Sequence, residues 1–95
     1  MTAIHRIPPK FQLGQVFATA GAVAAFPAET LLACLERHAR GDWGDLDPED
    51  RAANEAALSS GGRLLSSYRV PERGKVWVIT EHDRSATTVL LPEDY

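Results

Sequence analysis

The chain has 95 residues, 44% of them hydrophobic and 24% charged, and ten Lys and Arg against thirteen Asp and Glu give a formal charge of -3. That length supports one domain with one modest core. The balance is that of a folded globular chain rather than a disordered one, and the acidic sum excludes a global basic field for nucleic acid.

Residues 1 to 10, "MTAIHRIPPK", lack the apolar run of a secretory signal. Their paired prolines predict an extended arm ahead of a single domain over 11 to 95. The most apolar stretch, "VFATAGAVAAFPA", is broken by glycine and proline and is too short to cross a bilayer, so a cytoplasmic protein is expected. "FQLGQVFAT" reads as a first strand, with Leu13, Gln15 and Phe17 on one side, and "AGAVAAF" as a short helical turn.

Pro27 at a first-turn position opens a helix through about Arg40, with Leu31, Leu32, Leu35 and Ala39 as its apolar stripe and Gly41 as its stop. Cys34, the only cysteine, excludes an internal disulfide and an intrachain thiolate cluster. It reads as a small buried hydrophobe, and His38, one turn later, shares its face.

The order Asp47, Pro48, Glu49, Asp50 predicts an N-cap, a first-position proline and an acidic first turn. An alanine-rich second helix follows and ends in "SSGG". Three runs, "RLLSSYRV", "KVWVITE" and "ATTVLLP", are rich in β-branched and aromatic residues and are separated by the turn compositions "PERG" and "HDRS". They predict an antiparallel meander with "KVWVITE" central.

The order β-α-α-β-β-β predicts an α+β two-layer sandwich, a mostly antiparallel sheet of three to four strands with two helices on one face. Trp77, Ile79 and Tyr68 are the candidates for the uncovered face, as a partner or dimer surface, with the N-terminal arm as an alternative cover.

Two stretches carry chemistry. "RHARGDWGDLDPED", 37 to 50, gathers Asp42, Asp45, Asp47, Glu49 and Asp50 around Trp43, but its spacing matches neither a calcium loop nor a zinc pair, so no metal is assigned. It reads as an interhelical hinge, with Asx turns at the aspartates, Trp43 plugged into the core and the acidic side chains facing outward. In "TEHDRSATT", 80 to 88, His82, Arg84, Ser85, Thr87 and Thr88 are the residue types of metal-independent RNA cleavage. Small ribonucleases of the barnase and RelE-like type have a similar order of elements, which makes His82, Arg84 and Thr88, helped by His38, the catalytic alternative.

"RHARGDWGDLDPEDRAANEAAL", "GGRLLSSYRV" and "KVWVITEHDRSATTVLLPEDY" together resemble a family of small bacterial proteins carried on plasmids and integrated mobile elements, labelled plasmid-related protein or type I restriction subunit. The resemblance runs from about Leu13 to Tyr95 and brings no catalytic residues. Ninety-five residues are too few for a methyltransferase fold and show no glycine-rich cofactor loop, so no cofactor is expected.

The resemblance implies a service protein of a mobile element that binds a protein partner without catalysis, as a modulator or inhibitor of a host-defence system such as CRISPR or restriction, its acidic clusters standing in for phosphates. Asp42, Trp43, Asp45, Glu49, Asp50, Trp77, Ile79 and Tyr68 are the expected contact residues. A dimeric scaffold is the further alternative.

Overall fold

The computed structural model describes residues 9–95, so the arm expected over residues 1 to 8 lies outside the described residues. The elements in chain order are strand β1 (Gln15–Ala18), helices α1 (Ala20–Ala25), α2 (Ala28–Ala39) and α3 (Pro48–Ser60), strands β2 (Leu64–Val70), β3 (Gly74–Thr80) and β4 (Ala86–Leu90), and a 3-10 turn (Pro92–Asp94). The α+β sandwich is thus present, with a third, short helix where the sequence reads as a helical turn. The sheet order is β1-β4-β3-β2.

β2, β3 and β4 form the expected antiparallel meander, while β1 joins parallel to β4. β4 is therefore an interior strand beside β3 rather than an edge. The three helices between β1 and the meander supply the long crossover that a parallel pairing needs.

Local chemistry sets the helix ends. Thr19 caps α1 by accepting from the Ala22 amide at 3.1 Å. Pro27 is the N-cap of α2 rather than its first helical residue, in extended backbone at ψ 152°. Asp47 occupies the N-cap of α3 with Pro48 first in the helix, but its carboxylate makes no capping bond and stays free. Gly61, at φ 85°, ends α3 in the left-handed conformation that costs glycine least.

The helix-facing side of the sheet carries Leu64, Ser66 and Tyr68 of β2, Val76, Val78 and Thr80 of β3, and Thr87 and Val89 of β4, all buried. Ala22, Phe26, Leu31 and Cys34 of the helical layer pack on it. A buried aliphatic side chain of this kind contributes about 1.5–3 kcal/mol by leaving water. A second cluster, Trp43, Ala57 and Leu64 with Phe11, Leu46 and Leu58 at its rim, fills the space under α3.

The two sheet edges differ. Leu65 of β2 points its amide and carbonyl outward, and Asn54 of α3 meets both, donating to the carbonyl at 2.7 Å and accepting from the amide at 3.2 Å. Two residues on, the Ser67 amide donates to the Trp43 carbonyl at 3.1 Å and its carbonyl accepts from the Asp45 amide at 2.6 Å. The protein thus closes its own β2 edge. Among the described residues β1 has no such cover, and all four of its own residues are exposed.

Candidate functional site

The hinge between α2 and α3 is built onto the β2 edge. Gly41 and Gly44 have φ of 80° and 73°, which turns the chain twice within four residues. A β-carbon at Gly44 would collide with the Ser67 carbonyl, so the close parallel approach of Gly44 to Ser67 requires glycine.

Asp42 accepts from Arg37 Nε at 2.7 Å and Nη2 at 3.3 Å, and its Oδ1 accepts from the Gly44 amide, closing the expected Asx turn. The Arg37 hydrogen bond, with the Gly44 amide, holds the Asp42 carboxyl below the usual carboxylate range. Tyr68 donates its hydroxyl to the Asp42 carbonyl at 2.6 Å, and the Arg37 guanidinium lies 4.5 Å over the Tyr68 ring. Arg51 of α3 donates to the Gly44 and Leu46 carbonyls.

Trp43 is 4% exposed, plugged into the core as expected, with its indole N–H donating to Glu55 at 2.7 Å. It stacks on Phe11 and meets His38 edge-on. Asp45, Asp47, Glu49 and Asp50 project outward, and none has an ion-pair partner among the described residues. Beside them an open groove of about 430 Å³ is lined by Arg37, Gly44, Asp45, Tyr68, Arg69 and Pro71. No helix of the described residues is long and apolar enough to cross a membrane.

On the uncovered face of the sheet, Trp77 and Ile79 take the expected side. Tyr68 does not: it pairs with Val76, shares the parity of Leu64 and Ser66, and lies 1% exposed on the helix-facing side. Nor is the face around Ile79 bare, since Ile79 is 5% exposed. The Tyr95 ring meets Trp77 edge-on at 5.8 Å, and its hydroxyl accepts from Arg63, whose guanidinium lies 5.2 Å over the ring. Tyr95 thus bridges Trp77 of β3 and Arg63, the residue before β2. Of the Trp77, Ile79 and Tyr68 set, only Trp77 is partly exposed; the other two are buried.

The four residues of the catalytic alternative are not brought together. His82 is exposed at the β3–β4 turn, and Thr88 lies on the face opposite His38. Arg84 is committed: its Nη1 donates to the Gly62 carbonyl at 2.6 Å and its Nη2 to the Ala57 carbonyl at 2.8 Å, capping the C-terminal end of α3.

His38 is sealed inside, at 0% exposure, and both its ring nitrogens are taken, one by Ser66 and one by Thr80, leaving none for Cys34. The chain of hydroxyls fixes the tautomer. Thr87 donates to the Leu13 carbonyl, which can only accept; Thr80 must then donate to Thr87 and accept from His38 Nε2–H. Nδ1 is left to accept from the Ser66 hydroxyl.

That direction is the one a serine nucleophile and its base adopt. Ser66, Thr80 and Thr87 are, however, as fully buried as the imidazole, so no substrate reaches the pair. Burial, reinforced by the Arg84 charge, pushes the His38 pKa down to about 4.

Sequence reasoning missed this network. Its signal was the parity of Ser66, Thr80 and Thr87, each alternating with apolar residues that face the core. No family model, curated protein or solved structure matches this chain.

Proposed function

We propose that this protein is a small non-catalytic protein-binding module of a mobile genetic element, and that a basic surface of a nucleic-acid-processing or defence complex docks on its α2–α3 hinge. The observation that carries the reading is the array of free carboxylates, Asp45, Asp47, Glu49 and Asp50, on a hinge whose backbone is fastened at both ends. A fixed array of negative charges meets a surface built for phosphates without first having to be ordered.

Asp42 is not a contact in this reading, because Arg37 already neutralises it. Trp43 acts from the core, holding the hinge in shape rather than touching the partner.

The test is affinity capture from host lysate, with and without nuclease, comparing wild type with the double variant Asp45→Lys, Glu49→Lys. Both residues are exposed, so the variant is expected to lose about 1 kcal/mol of stability or less. Its capture of a nuclease-resistant protein partner is expected to fall roughly tenfold or more. Equal capture by the two proteins removes the hinge as the binding site.

A further inference from the structure

We infer that the open β1 edge is a dimer interface, on which a second copy of this chain adds its own β1 in antiparallel orientation to make one continuous eight-stranded sheet. This stands apart from the hinge, which lies on the opposite edge.

The edge chemistry specifies an extended partner. In the parallel ladder the Gln15 amide donates to the Ser85 carbonyl and the Thr19 amide to the Val89 carbonyl, both at 3.0 Å. The period of two puts Phe17 inward as well, and leaves the amides and carbonyls of Val16 and Ala18 pointing away from the sheet. An unpaired row of this kind is a template for another strand, and proteins that keep it free place charge or proline on it. This chain has none there: no Asp, Glu, Lys, Arg or His lies anywhere from residue 11 to residue 28.

Charge selects the second copy as the occupant. In a two-fold strand pair each edge meets a copy of itself, so an edge carrying a net charge of one sign would repel its mate. The neutral stretch removes that repulsion in a chain that is otherwise 24% charged, and it offers nothing to a partner recognised by charge.

The register is also self-complementary. With the two-fold axis at Phe17, Val16 of each copy opposes Ala18 of the other as a hydrogen-bonded pair, and all four outward residues are satisfied. Phe17 then opposes its own symmetry mate as the close, non-hydrogen-bonded pair, on the sheet face that also carries Thr88 and Ile79. Phe17 is 51% exposed and Val16 48%, and the pairing covers both.

Sedimentation of the full chain over a concentration series, with Phe17→Lys, Phe17→Cys and Gln15→Cys beside wild type, tests the assignment, with circular dichroism reporting the fold of each. Wild type is expected to dimerise, and Phe17→Lys, which sets two ammonium groups across the axis, to weaken the dimer roughly tenfold or more. Under mild oxidation Phe17→Cys is expected to cross-link to itself, because the close pair brings the α-carbons within disulfide range. Gln15→Cys opposes Thr19 of the partner subunit and is expected not to cross-link. A wild-type chain that stays monomeric at every concentration overturns the proposal. So does a dimer indifferent to Phe17→Lys, or one that cross-links through Gln15→Cys and not through Phe17→Cys.

Discussion

His38 takes up a proton less readily in the folded chain than in water, because its ring is buried among Phe11, Trp43 and the Ser66 and Thr80 hydroxyls and Arg84 adds positive charge nearby. Its pKa falls from 6.5 to about 4, so between those values the unfolded chain binds more protons than the folded one. Stability is therefore complete above pH 6.5 and declines as pH drops, by about 3 kcal/mol once the folded value is passed. Urea denaturation from pH 7.5 to 4 is expected to show that slope. His38→Ala is expected to lose it, while costing about 3 kcal/mol at neutral pH through the cavity and the orphaned Ser66 and Thr80 hydroxyls. A wild-type slope retained in His38→Ala assigns the pH dependence to other groups.

At the scale of elements, side chains finish what the backbone leaves open. Asn54 completes the β2 ladder from a helix, and Arg84 caps α3 from a hairpin turn. Arg84 does so from a left-handed position, φ 61°, which an arginine enters only at a cost. Arg84→Ala is expected to destabilise by about 2 kcal/mol, since it frees the α3 carbonyls but keeps the awkward backbone. Arg84→Gly relieves the backbone and is expected to be the more stable of the two by about 1 kcal/mol. Thermal melts of the pair check this; an Ala variant as stable as wild type removes the capping role.

The whole molecule presents two unlike edges: β2 closed by the hinge and bordered by free carboxylates, β1 open and uncharged. Changes on opposite edges share no partners, so their effects are expected to add. Phe17→Lys should leave partner capture unchanged, and Asp45→Lys with Glu49→Lys should leave the sedimentation profile unchanged. If both variants disturb both measurements, the two surfaces form one interface.

Much of this architecture was legible in the chain. The helix over 27 to 40, the Asp47–Pro48 start, the glycine stop after "SS" and the three strands of the meander follow from capping chemistry and from hydrophobic period, which are local. The hinge was legible too, with Trp43 in the core and Asp42 in an Asx turn. What the chain did not disclose depends on register and on contacts between distant segments. Tyr68 falls on the helix-facing side because β2 pairs Tyr68 with Val76, and its parity is fixed only by that pairing. β1 runs parallel to β4 rather than extending the meander, a pairing between segments about 70 residues apart that no local pattern encodes. His38 finds Ser66, Thr80 and Thr87 across separations of 28 to 49 residues in the chain, and Arg84 is drawn away from a turn to the end of a helix. Local sequence determined which elements form and where they stop, because caps, turns and periodicity act within a few residues; only tertiary structure decided which polar side chains meet, which face each strand buries and which edge stays open.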